Sequence, residues 1–161
     1  MMAVASLSST PGAYGRLINV GQGDVVGFLG TYGATISFAT FTGTGSGWND
    51  VTANTPATPV STNPVLPSIL EMTVCGAVLT PYFNASGMTT KVGTTIPATG
   101  MILGSSPNNG GQFWPGYLNE FLLVPRTLTI LQRQQLEGYL AWKWGLQGNL
   151  PSTHPFKLGA P

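Results

Sequence analysis

Between Tyr117 and Val124 apolar side chains fall on both alternating faces of the chain. Leu118, Leu122 and Val124 share one face, and Tyr117, Phe121 and Leu123 the other. That is the pattern of a strand buried on both sides. Pro125 ends the run, because proline has no ladder donor. Beyond it the apolar period lengthens to that of a helix. Leu136, Leu140 and Trp144, with Tyr139 beside them, form one apolar stripe, while Gln132, Arg133, Gln135, Glu137 and Lys143 mostly fill the other side. The spacing predicts a helix that docks this stripe on a sheet. Thr129-Ile130-Leu131-Gln132 has the form of a capping box, with Leu128 placed as a staple. Gly145 stands where a left-handed residue closes a helix, and Leu146 where its hydrophobic contact belongs.

Upstream, residues 2–7, 16–20, 25–30 and 34–41 read as short strands parted by Pro11-Gly12, Gly21-Gln22-Gly23 and Thr31-Tyr32-Gly33. Ile36 and Phe38 alternate with Thr35 and Ser37, the pattern of a sheet with one wet face. Residues 42–67, rich in Gly, Thr, Asn and Pro, read as one long polar loop. Leu70, Met72 and Val74 then alternate with Ile69, Glu71 and Thr73. A turn at Cys75-Gly76 leads back along 77–83 to make a hairpin. Met88–Val92 and Met101–Leu103 are two more strands, and Ser105–Gly111 is a turn region. Many short strands and one late helix imply a single all-β domain over 1–161, an antiparallel β-sandwich or jelly roll with one C-terminal α-helix.

The stretch Arg126-Thr127-Leu128-Thr129, the helix RQQLEGYLAWKWGL and the closing LPSTHPFK together carry a resemblance. They resemble the C-terminal end of concanavalin A-like lectin/glucanase domains of the laminin-G-like type, as found in phage, large-virus and bacterial surface proteins. GRLINVG, GSGWND, ILEMTV and LTPYFNASG are similar to upstream strands and turns of the same domain. The resemblance implies a concanavalin A-like sandwich. It also implies that strands which usually precede the one at MMAVASL are absent or supplied by another polypeptide, which would leave a sheet edge to be covered. It does not imply one function, since this sandwich hosts lectins, hydrolases, adhesion modules and capsid components.

Charge narrows the choice. Only 7% of residues are charged and the formal net charge is +1. No basic patch is available for nucleic acid or anionic lipid. A surface made mostly of Thr, Ser, Gly, Asn and Gln suits a protein held in an assembly or outside the cell. Cys75 is the single cysteine, which rules out an intrachain disulfide. It reads as a buried small residue beside a hairpin, with an interchain bridge as the alternative. No apolar run reaches the length of a membrane-spanning helix, and MMAVASLSS lacks the basic start and long apolar run of a secretory signal.

Candidate chemistry is sparse. The carboxyl groups are Asp24, Asp50, Glu71, Glu120 and Glu137, without the E-x-D-x-E arrangement of glucanases of this type. Glu120 is expected to cap or anchor a neighbouring loop. His154, the only histidine, lies between prolines in the tail and is expected to pack and bond to backbone. Asp24 and Asp50 are weak calcium candidates, with Asx turns as the alternative; no other cofactor is expected. Sugar stacking would fall to Trp48 with Asn49 and Asp50, to Trp114, or to Tyr32, unless those rings fold inward. Asn84-Ala85-Ser86 is a glycosylation sequon. The expectation is a non-enzymatic virion surface protein, such as a capsid decoration, cement or fibre-head component. Its partners would be other structural chains, in a homo-oligomer or capsid assembly, and possible host glycans. The alternative is a lectin module on a secreted or cell-surface protein.

Overall fold

A computed structural model describes residues 1–9, 14–20, 26–32, 38–44, 47–49, 61–76, 78–88, 90–92, 100–105 and 113–161. In chain order the strands are β1 (Met2–Leu7), β2 (Tyr14–Val20), β3 (Val26–Tyr32), β4 (Phe38–Thr44), β5 (Gly47–Asn49) and β6 (Ser68–Cys75). There follow β7 (Val78–Phe83), β8 (Ser86–Gly87), β9 (Lys91–Val92), β10 (Met101–Leu103) and β11 (Gly116–Leu122). Helix α1 (Ile130–Trp144) and a short 3₁₀ turn (Gln147–Asn149) close the chain. One sheet runs β11-β1-β6-β7-β8, with β9 also on β7; the other runs β10-β2-β3-β4-β5. The named strands pair antiparallel throughout.

β1 explains the arrangement. Its side chains are all buried, and they serve two cores. Ala3, Ala5 and Leu7 join Leu70, Met72, Phe83 and Trp114, together with Leu17 and Ile18 of the second sheet. Met2 and Val4 point the other way and, with Ile69, meet Leu140, Ala141, Leu146 and Leu150. The first sheet is thus covered by β2 on one face and by the helix on the other. Each fully buried large aliphatic side chain contributes about 1.5–3 kcal/mol relative to exposure. β1 is not itself an edge strand, because β11 and β6 flank it on both sides.

β11 is not buried on both sides. It lies at the end of its sheet and most of its residues are half exposed. Its facing also differs from strict alternation. Val4 pairs with Glu120 and Ala5 with Leu118, so Asn119 is an extra residue in a bulge. The bulge resets the parity. Leu118 and Phe121 consequently pack on the same core, while Leu122 packs on the helix side. At the start of β11 the backbones approach so closely that a Cβ on Gly116 would lie 2.0 Å from the Ser6 carbonyl oxygen.

The turns follow their residues. Gly76 takes a positive φ of 59° at the β6–β7 hairpin. Asn84 and Ala85, both at positive φ, join β7 to β8 in the manner of a two-residue hairpin loop. Asn84 Oδ1 also accepts from the Ile69 N–H at 2.8 Å, which holds that sequon asparagine against β6. Cys75 is exposed rather than buried, because β6 runs past the core before its turn. The 42–67 loop begins later than expected: 42–44 and 47–49 pair as β4 and β5. Residues 61–67 are a loop held by Ser61, whose hydroxyl donates to the Leu66 carbonyl at 2.6 Å. The intervening 50–60, and most of the turn expected at Ser105–Gly111, lie outside the described residues.

Helix α1 begins and ends as its sequence dictates. Thr129 Oγ1 accepts from the Gln132 N–H at 3.2 Å, and Gln132 Oε1 accepts from the Thr129 N–H at 3.1 Å. Gly145 is left-handed, and the Leu146 N–H donates to the Ala141 carbonyl at 2.7 Å. Leu140 is buried and Leu136 and Trp144 pack partly on the helix-side core. Tyr139 is exposed, and Glu137 and Gly138 take its expected place inside. Gly138 is small for a reason: the tail folds back here, and a Cβ would lie 2.6 Å from Phe156 Cβ.

Candidate functional site

Four ionisable side chains far apart in sequence meet between the first sheet and the helix. β6 turns Glu71 toward α1, because Leu70 and Met72 occupy its other face. Arg133 and Glu137 stand one helical turn apart, and Arg133 donates to Glu137 Oε1. The tail brings His154, whose Nε2 lies 3.1 Å from Glu137 Oε2. Its Nδ1 accepts from the Phe156 N–H at 3.2 Å, so the ring proton sits on Nε2 and is donated to the carboxylate. The Arg133 guanidinium also stacks over Tyr82, 4.0 Å from the ring centre.

Glu137 is therefore buried with partners, as a buried charge requires. Glu71 is not. Its side chain is 1% exposed, and neither carboxyl oxygen has a hydrogen-bond donor. The nearest guanidinium nitrogen, on Arg133, is 3.8 Å from Oε2. Burial pushes the Glu71 carboxyl up to about 9, and the neighbouring Glu137 pushes the same way, against weaker pulls from Arg133 and the Met1 amino group. It is protonated at neutral pH. Burial in turn lowers the Met1 ammonium, which donates to the Met72 carbonyl at 2.8 Å.

Glu71 and Arg133 form part of the wall of a groove with a cavity volume of about 270 Å³. Met1 and Met2 at the chain start, the end of β6, Tyr82 of β7, the β11–α1 connection and the first turn of α1 supply the rest. Its rim is open and mixes apolar and polar side chains: Ile130 is 72% exposed and Leu123 54%, beside exposed Arg126 and Thr127, with Leu131 at 56% next in sequence to Ile130.

A second cluster ties β11 to the helix. Trp144 Nε1 donates to Glu120 Oε2 at 2.7 Å, and Lys143 Nζ donates to Oε1 at 3.1 Å. The Tyr139 hydroxyl lies 3.3 Å from Oε1. Although partial burial works upward on Glu120, the hydrogen bonds from Trp144 and Lys143 hold its carboxyl below the usual value. Glu120 thus anchors the helix rather than a neighbouring loop.

The expected sugar-stacking residues are not gathered at one place. Trp114 is buried in the core between the sheets, and its indole N–H donates to the Ser6 carbonyl at 3.1 Å. Its ring presents no open face, because the chain crosses between sheets here and uses the indole as filling. The Trp114 N–H bonds to Gly104, just beyond β10, whereas Trp48 and Asn49 lie on β5 at the opposite edge of that sheet. Tyr32 ends β3. The side chains of Tyr32, Trp48 and Asn49, and the calcium candidates Asp24 and Asp50, lie outside the described residues. Among the described residues no three His, Cys, Asp or Glu side chains group as a metal site. No described helix is long and apolar enough to cross a membrane.

The Glu71–Arg133–Glu137–His154 cluster is absent from the sequence reading, which puts Arg133 and Glu137 on the polar side of the helix. Their four-residue spacing and the carboxyl within the apolar ILEMTV strand are its only signals. No family model, curated protein or solved structure matches this chain.

Proposed function

We propose that this chain is a non-enzymatic structural module of a virion surface, of the capsid decoration or fibre-head kind, and that it works packed against other protein chains. The fold that goes with this reading is a concanavalin A-like sandwich, with the C-terminal helix on the outer face of one sheet. The observation that carries the proposal is the set of exposed apolar side chains at the start of the helix, Leu123 and Ile130 on the groove and Leu131 next in sequence to Ile130, all more than half exposed. Neighbouring exposed side chains of this size mark contact surfaces in soluble proteins. The low charge supports the same reading, since 7% charged residues give little protection against association. So does the resemblance of the helix and tail to those of phage and viral surface proteins. The non-enzymatic part rests on Glu120, whose two oxygens are engaged by the helix, and on Glu137, whose two oxygens are held by Arg133 and His154.

Sedimentation velocity over a wide concentration range tests the proposal. Concentration-dependent growth beyond one 16.8 kDa chain is expected, with the rim substitution Ile130→Asp weakening it. A single monomeric species at every concentration, unfolding cooperatively, would overturn the reading.

A further inference from the structure

We propose that the groove beside the start of α1 receives an acidic side chain, aspartate or glutamate, of another protein chain. Its carboxylate is held by Arg126 and Arg133, and its apolar neighbours lie on Leu123, Val124, Leu128 and Ile130. This rests on the reading that the chain works packed against others, and it gives that contact a chemistry. The starting point is where the cations are. The chain has only six Lys and Arg residues, and two of them line this one groove. Elsewhere the fold engages its own: Lys143 bonds to Glu120, Lys157 to the carbonyls of Gly148 and Leu150, and Arg16 to Asn19. Arg126 differs. It is exposed, and among the described residues it meets no hydrogen-bond or ion-pair partner.

No wall of the groove answers that charge. Glu71, the only carboxyl group in the lining, is covered and protonated, because burial and the adjacent Glu137 both push it up. Glu137 has both oxygens held, by Arg133 and His154, and is not part of the lining. The Met1 amino group lies in the lining, turned to the Met72 carbonyl, and brings no negative charge. Arg133 gives only Nη1 to Glu137; its Nε and Nη2 take no acceptor and are not fully covered. The Tyr82 ring, 4.0 Å away, supports that guanidinium from one side. The first turn of α1 carries no acidic side chain either, so the positive end of the helix is also unanswered. A carboxylate matches the planar fork of a guanidinium with two oxygens at once. At about 270 Å³ the cavity falls below the range of sites that enclose a whole small molecule, and it suits one or two side chains presented by a larger chain. Exposed Leu123 and Ile130 then give the flanking residues of that chain an apolar seat.

Titration of the whole chain with Nα-acetyl-Leu-Glu-Leu-amide, followed by NMR of the Leu123 and Ile130 methyl groups, tests the proposal. Saturable shifts of those methyls are expected. The Leu-Gln-Leu counterpart, of the same shape but neutral, should bind at least about tenfold more weakly, the equivalent of one lost charge-assisted contact. Arg126→Gln should weaken the Glu peptide by a similar factor. Arg126→Lys, which keeps the charge and loses the fork, should recover only part of it. Because Arg126 has no partner within the fold, neither substitution should move the denaturation midpoint, which separates lost binding from lost folding. Added salt should weaken the Glu peptide and spare the Gln peptide. Equal binding of the two peptides, undiminished binding by Arg126→Gln, or inorganic phosphate competing as strongly as the Glu peptide would overturn the proposal. Association in the centrifuge with no binding of the Glu peptide would sink this inference and leave the proposed function standing. Peptide binding by a chain that stays monomeric at every concentration would do the reverse.

Discussion

Raising the pH removes a proton from Glu71 in the unfolded chain long before it does so in the folded one. The carboxyl is pushed from 4.5 up to about 9, first by burial and then by Glu137. Between those values the folded state holds one more proton than the unfolded state. The stabilisation this represents is complete below the lower value and is lost as pH climbs toward the upper one. The slope is at most about 1.4 kcal/mol per pH unit for a single proton. The Met1 ammonium, lowered by burial from 8.0, works the other way and adds stability as pH approaches that value. Urea denaturation from about pH 5.5 to about pH 7.5, on the wild type and on Glu71→Gln, isolates the Glu71 contribution as a difference of slopes. Wild-type stability should fall more steeply with pH, by several tenths to about 1.4 kcal/mol per unit. Parallel plots for the two proteins would refute the claim that Glu71 is buried in its protonated form.

The remaining structural predictions use the same denaturant series. Trp144→Ala removes a ring packed on the helix-side core and the donor to Glu120, and should cost about 3 kcal/mol; a loss below ~1 kcal/mol would mean the ring is not docked. Gly116→Ala drives a Cβ to 2.0 Å from the Ser6 carbonyl, and should cost about 3 kcal/mol or more by parting β1 from β11. Unchanged stability there would contradict the close approach. His154→Leu deprives Glu137 of its Nε2 donor and should cost about 2–3 kcal/mol, whereas His154→Gln, which keeps a donor, should recover part of the loss.

The helix was legible in the sequence because its signals are local. A capping box, a glycine stop and the Leu136/Leu140/Trp144 spacing need only neighbouring residues to act, and all of them are realised. The hairpin at Cys75-Gly76 was readable for the same reason. What the sequence hid depends on contacts between distant segments. The Asn119 bulge flips the facing of half a strand without any marker in composition. The place of β1 between two partners follows from pairing with residues 68–71 and 116–122, which alternation cannot specify. Glu137 looks solvent-facing by type, and its burial depends on an arginine one turn away and a histidine from the tail. Trp114 sits in the kind of Gly/Asn-rich context where a ring could face a ligand, yet the crossing between sheets turns it inward.

If Leu123, Ile130 and Leu131 form the surface that meets other chains, carbene footprinting at low and high concentration measures it directly. Their labelling should fall several-fold in the associated form, while Leu158 in the exposed tail keeps its label. Association that leaves these three side chains labelled as fully as in the dilute chain would contradict the account.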